Sequence, residues 1–294
     1  MVTEKQIIFQ VHSKLVIEAF DGPNYYIEYC NEIQSSKICV IYFSSNEIYY
    51  PNTPSSFSFS ILNKDRYEWK KNKFKNVSKH IFLRDIRKQW YIGGVNSKLN
   101  HPMKLLDFLK SETKDYEVYV VGSSAGGFAA ILFGSLLNAR RVYAFNAQLN
   151  LFEIIKSSNL FTDPILFENI GNNDLNKYYD LSSFINKHTD YYYFQSCKSK
   201  IDKEQYLSIS DESRAKLKAI FFLTSNHGFP FFRINLPYIL ALKKDNLDKL
   251  INKTFNLIVF SAKFIGYFKT FKFIFQALFD RFKKKQLEAK FKRI

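Results

Sequence analysis

The sequence predicts an α/β protein with a mostly parallel central sheet and helices on both faces, followed by a basic helical tail. Short apolar-centred runs recur at residues 37–43, 80–84, 141–146, 191–196 and 218–224, separated by polar or helix-prone segments. Runs of that kind suit strands buried on both faces of a sheet. One stretch, Val118 to Ala130, carries the chain from four β-prone residues through a turn of small residues into an Ala-rich helical segment.

Taken in order, residues 7–30 cluster apolar positions around the turn signal Phe20-Asp21-Gly22-Pro23-Asn24 and read as two antiparallel strands opening the sheet. Lys37 to Phe43 is a strand that exits into Ser44-Ser45-Asn46. Tyr49 to Lys75, with Pro51, Pro54, several serines and many charges, reads as a surface excursion near the mouth of a site. His80 to Arg84 is the next strand, and the Arg84-Asp85 pair with Trp90 either lines a substrate pocket or forms an ion pair under a packed ring. Residues 101–112 have the spacing of an amphipathic helix. After the strand at 141–146, Ala147-Gln148 faces the same sheet edge and adds Gln148 to the pocket candidates. Residues 149–190 are irregular and polar, with helical fragments at 152–156 and 181–187, the place where a cap or lid is expected. Tyr191 to Ser196 is a strand whose exit loop holds Asp202 and Glu204. Lys218 to Thr224 reads as the last strand, and His227 lies in its exit loop.

Gly122-Ser123-Ser124-Ala125-Gly126 fits G-x-S-x-G, in which the central serine sits on a strained strand-to-helix turn with its hydroxyl above the sheet edge. Ser124 is the candidate nucleophile. The same residues also satisfy a loose G-x-S-x-x-G, which would cradle a dinucleotide, but that reading needs an acid at the end of the next strand, where Asn146 stands. A purely structural glycine turn is the other alternative. The chain order Ser124, Asp202, His227, each after a strand, favours the nucleophile and matches α/β-hydrolases. A serine hydroxyl attacks well only when an imidazole takes its proton, and the imidazole needs a carboxylate to fix its tautomer. His227 is then the base and Asp202 the acid, with Glu204, two residues on, the main rival. Backbone N–H groups of Ala125 and of Phe43 or Ser44 are the candidates for the oxyanion hole.

On Gly122-Ser123-Ser124-Ala125-Gly126-Gly127, Asn146-Ala147-Gln148, Asp202 and His227-Gly228, the chain resembles the α/β-hydrolase-type enzymes of bacterial surface-glycan biosynthesis, in particular capsular-polysaccharide O-acetyltransferases. The resemblance spans roughly residues 37–240. It implies transfer of an acetyl group from acetyl-CoA, as a donor substrate and not a bound cofactor, to a sugar hydroxyl through acetyl-Ser124. The sequence departs from that pattern after the histidine, where Gly228-Phe229-Pro230 replaces an acidic or amide residue. Carboxylester hydrolysis on small or lipid esters, and a non-catalytic scaffold for glycan enzymes, stay open as alternatives.

The net charge of +16 belongs mainly to one end, since residues 249–294 hold 12 basic residues against 2 acids, a net +10. A nucleic-acid partner is therefore not expected of the domain at 1–248. From Leu257, aromatic and aliphatic residues recur at spacings of three and four as far as Phe282, but the longest uncharged run is only Thr254–Ala262. This is the pattern of a helix lying in a membrane interface, with an anionic surface or a membrane-bound glycan-synthesis complex as partner. Cys30, Cys39 and Cys197 make neither a full disulfide set nor a metal-ligand spacing, so no metal is expected. The amino terminus shows no long apolar segment with a cleavage site. Together these place the protein in the cytoplasm, at the inner face of the membrane.

Overall fold

The structure, a computed structural model, describes residues 8–30 and 37–291, with the side chains at 281–282 and 284–291 excepted. The amino-terminal segment read above as lacking an export signal, and much of the basic cluster at 281–293, lie outside the described residues.

Eight strands, β1 (Tyr25–Tyr29), β2 (Ile38–Phe43), β3 (Lys79–Leu83), β4 (Glu117–Ser123), β5 (Arg141–Phe145), β6 (Asp190–Ser196), β7 (Leu217–Phe222) and β8 (Thr254–Phe255), form one sheet in the order β1-β3-β2-β4-β5-β6-β7-β8. Every neighbouring pair is parallel except β1 with β3. From β2 the chain moves outward to β3 and then returns across β2 to lay down β4. The strand order reverses there, so the carboxyl ends of β2 and β4 open the crevice where such sheets hold their ligands. In register, Phe43 of β2 faces Gly122 of β4, which brings the Ser44–Asn46 loop beside the Ser124 turn.

Both faces of the sheet are covered. Along β2, Cys39, Ile41 and Phe43 pack with helix 125–136 on one side, while Val40 and Tyr42 pack on the other with Tyr143, Phe145, Phe194 and Phe222. Side chains on a strand alternate faces, so two buried faces require apolar residues at every position. Helix 102–113 joins the first layer through Leu105, Leu106 and Leu109, and helix 236–240 the second through Leu236, Ile239 and Leu240.

Three expectations are corrected. Among the described residues, those before β1 are mostly helical, Phe9–His12 and Lys14–Asp21, and one antiparallel strand opens the sheet. Val16 and Phe20, four apart, bury one helical face against Ile48, Tyr49 and Phe57, and Gly22 stops the helix. Second, β7 is not the last strand, because the two-residue β8 adds beside it, too short to leave a periodic pattern. Third, the fold does not end at residue 248. Leu250, Phe260 and Ser261 are buried, and Phe260 packs edge-on against Phe222 at 4.8 Å.

The tail is two helices, Leu257–Ile265 and Tyr267–Phe291, broken at Gly266, whose φ of +81° a side chain would resist. Buried Thr270 ties the second helix to the first by a 3.0 Å hydrogen bond to Ser261. Tyr267, Phe268, Phe275, Leu278 and Phe279 are exposed. Among the described residues no helix is long and apolar enough to cross a membrane. In segment 149–190, Leu151, Leu166, Tyr179 and Leu181 are buried in the same cluster as helix 125–136, so this stretch lies down on the core.

Candidate active site

The turn at Ser124 is as tight as the glycines imply. A Cβ on Gly122 would sit 1.9 Å from Gly126 O, and one on Gly126 would sit 2.3 Å from Phe43 O. Ser124 itself is held at φ 54°, ψ −123°, outside the regions open to an L residue without cost, of order 1–3 kcal/mol. Its N–H donates to Phe145 O at 2.9 Å, which anchors the turn to β5.

The strained turn aims the hydroxyl at the histidine loop. Ser124 Oγ lies 2.7 Å from His227 Nε2, and His227 Nδ1 lies 2.7 Å from Asp202 Oδ1. Asp202 is 1% exposed and sits in the first turn of helix 200–207, where Ser199 caps the helix by accepting the Asp202 N–H. Its second oxygen, Oδ2, has no hydrogen-bond partner among the described residues, so His227 is the group its charge serves. Glu204, the rival acid, points outward and lies 3.8 Å from Lys200. Of the other histidines, His80 is buried inside the sheet against Tyr42 and Phe82, and burial pushes its pKa down to about 4.

Two residues hold this constellation. Asn146, fully buried at φ 42°, accepts the Ser196 N–H at 2.7 Å and donates to Ser196 Oγ and to Asn226 O at 2.9 and 3.0 Å. The loop after β5 is thereby tied to β6 and to the residue before His227. Gln148 is buried beneath the serine, with Nε2 3.1 Å from Ser124 Oγ and Oε1 accepting the Trp90 indole N–H at 3.3 Å.

The structure sorts the remaining candidates. Gln148 is at the site, Trp90 stands behind it, and Asp85 is further back. Buried Asp85 accepts backbone N–H groups of Arg87, Gln89 and Tyr91, shaping the loop that sets Trp90; burial raises its pKa, and those three hydrogen bonds oppose the rise. Asp85 and Trp90 therefore position the site and do not line it. For the oxyanion hole, Ala125 opens helix 125–136, and its N–H has no acceptor among the described residues. The other two candidates are corrected. The Ser44 N–H already donates to Leu83 O at 3.0 Å, and Phe43 lies inside the ladder between Leu83 and Gly122.

A cleft of about 740 Å³ opens over Ser124 and His227, lined by residues of segment 45–69, among them Tyr50, Phe59, Arg66, Glu68 and Trp69, and by Gly228, Phe229 and Arg233. The excursion after β2 thus does border the site, whereas segment 149–190, the expected cap, supplies none of the lining residues. Glu68 and Arg233 were not singled out in the sequence. A charged residue in a long polar loop carries no mark of which way it turns.

Strand order, the strained serine turn and the Ser124, Asp202, His227 order define an α/β-hydrolase-fold protein. The chain is similar in structure to the capsule O-acetyltransferase of Neisseria meningitidis serogroup A (16% identity over 71% of this chain and 85% of that one, TM-score 0.49). It is also similar to esterase B from Lactobacillus rhamnosis (10% identity, 92% and 91% covered, TM-score 0.43) and to MenH from S. aureus (11% identity, 78% and 96% covered, TM-score 0.38). No protein-family model matches the sequence, and no curated protein matches it.

Proposed function

We propose that this protein is a serine-dependent acyltransferase that O-acetylates a bacterial surface polysaccharide at the inner face of the membrane. The observation that carries the reading is the continuous relay from Ser124 Oγ to His227 to buried Asp202, with both links at 2.7 Å.

In this reaction His227 Nε2 takes the Ser124 proton as Oγ attacks the acetyl carbonyl of acetyl-CoA. The tetrahedral intermediate collapses, His227 returns the proton to the departing thiolate, and acetyl-Ser124 remains. A sugar hydroxyl then gives its proton to His227 as it attacks the acetyl carbonyl, and His227 returns that proton to Ser124 Oγ as the acetyl–serine bond breaks, which leaves the sugar acetylated and the enzyme restored. Asp202 stabilises the imidazolium in both halves. Gln148 donates to the serine oxygen and fixes its rotamer. The acetyl donor and the glycan acceptor rest on the sequence resemblance.

The exposed aromatics of helix 267–291, with Lys269, Lys272 and the basic residues beyond, suit insertion at an anionic lipid surface. Ester hydrolysis on small or lipid esters is the second reading, favoured by the 44% exposure of the His227 side chain, which leaves water a path to the acyl-enzyme. Incubation with acetyl-CoA and a de-O-acetylated capsular polysaccharide separates the two. Acetyl esters on the polymer by NMR support transfer, and quantitative release of free acetate with an unmodified polymer refutes it.

A further inference from the structure

When Ser124 attacks a carbonyl, the oxygen that turns negative needs two donors, and the elbow supplies one, Ala125 N–H. The second should come from the loop after β2. Ser44 N–H is committed to Leu83, so the next amide along the chain is that of Ser45, and it already holds an anion. Its N–H donates to Glu68 Oε2 at 2.7 Å, and its Oγ–H donates to Oε1 at 3.0 Å. The Glu68 side chain is only 11% exposed, and burial raises its pKa against the opposing pull of the Ser45 N–H and Arg66.

This carboxylate stands in the reaction cleft. Ser45, Glu68, Ser124 and His227 line the same cavity. The start of helix 125–136 is pressed against the β2 exit so closely that a Cβ on Gly126 would meet the carbonyls of both Phe43 and Ser44. The start of helix 125–136 and the β2 exit that leads to Ser45 are thus neighbours. Arg66 lies 3.8 Å from Glu68 Oε1, the oxygen that also accepts the Ser45 hydroxyl, and Arg233 lines the same cleft. The following residue, Trp69, keeps its own anchor by donating to Phe43 O at 3.0 Å, so the Glu68 side chain can turn without releasing the loop.

We propose that Ser45 N–H is the second oxyanion-hole donor and that Glu68 is a stopper seated on it in the resting enzyme. The proposal rests on the reading of Ser124 as nucleophile. A substrate carbonyl and the Glu68 carboxylate compete for one N–H, and a fixed negative charge there opposes the one that develops during attack. Productive binding turns Glu68 toward Arg66 and Arg233, which take its charge. Glu68 is in this sense a positioning residue that regulates access.

The test is the second-order rate at which a fluorophosphonate, whose attack also builds an oxyanion, modifies Ser124 in the full-length protein. It is measured in the wild type, Glu68→Gln, Glu68→Ala, Ser45→Ala and Ser45→Pro, with the melting temperature of each. Ser45 has φ −81°, within reach of a proline ring, so Ser45→Pro removes the N–H with little change of path, and Ser45→Ala controls for the lost hydroxyl. Both Glu68 variants are expected to label roughly ten-fold faster or more, and Ser45→Pro roughly 10²-fold slower than Ser45→Ala, the usual loss of one oxyanion donor. Acceleration is a readout that mere damage to the loop does not give, and Glu68→Gln keeps the shape if Glu68→Ala is unstable. Equal or slower labelling in folded Glu68→Gln overturns the stopper, and Ser45→Pro as fast as Ser45→Ala overturns the donor. Absence of label from Ser124 in every protein overturns the serine reading itself.

Discussion

Replacing Asp202 with asparagine separates catalysis from stability, because the geometry assigns the two effects different sizes. His227 Nδ1–H now donates to Asp202 Oδ1 at 2.7 Å, leaving Nε2 free to accept from Ser124. An asparagine amide in that place donates to Nδ1, puts the ring proton on Nε2, and turns the face toward Ser124 from acceptor to donor. The loss in kcat should be roughly 10⁴-fold, about 5 kcal/mol of barrier. Stability should hardly fall. The carboxylate is 1% exposed with one oxygen unpartnered, so the native state already carries the cost of a half-satisfied buried charge. Removing that charge should shift the unfolding free energy by no more than about 1 kcal/mol in either direction. Initial rates on p-nitrophenyl acetate and urea denaturation of the same preparations give both numbers. Glu204→Gln is the control and should leave both within two-fold or a few tenths of a kcal/mol, since exposed pairs are worth little. A drop of less than ten-fold in Asp202→Asn, or an equal drop in Glu204→Gln, would refute the assignment.

Asn146→Ala should strand the Ser196 N–H, leave Asn226 O to the Ser196 hydroxyl alone and place alanine at φ 42°, costing about 2–5 kcal/mol in all, with kcat falling as the His227 loop loosens; denaturant midpoints and rates check it. A chain ending at Phe273 keeps Phe260, Thr270 and the contact of Phe273 with Phe232, so it should retain esterase activity within a few-fold while losing sedimentation with anionic vesicles. A chain ending at Asp248 loses β8 and the buried Phe260, worth about 3–5 kcal/mol alone, and should not fold stably. His80, with a folded pKa of about 4 against 6.5, stays neutral in the native state while the unfolded chain takes up a proton. Its contribution is present above pH 6.5 and lost as the pH falls toward 4, by about 3 kcal/mol. His80→Gln should flatten urea stability over that window, and an unchanged acid slope would count against it.

How much could be read in advance follows from how local each signal is. The elbow was legible because Gly122 and Gly126 answer to contacts within a few residues and to the strand beside them. The proximity of Ser124, His227 and Asp202 was legible because a parallel sheet collects the loops after its strands at one edge, which made chain order a guide to position. Helix 14–21 was misread because the spacing of Val16 and Phe20 is too short a pattern to outweigh the neighbouring turn signal. The Asp85 and Trp90 roles depend on a loop turning through three positive φ angles at Lys88, Trp90 and Tyr91, which no residue type there announces. Gln148 was found by its place after β5, but its bond to the Ser124 hydroxyl is a matter of rotamer.

The central claim is that Ser124 carries the acyl group between donor and acceptor. Acid-quenching the protein within the first turnovers on p-nitrophenyl acetate, and mapping the peptides by mass spectrometry, tests it most directly. The account predicts one acetyl group on Ser124, trapped longer in His227→Gln if acylation still proceeds and absent in Ser124→Ala. An acetylated peptide lacking Ser124, or undiminished turnover in Ser124→Ala, would contradict it.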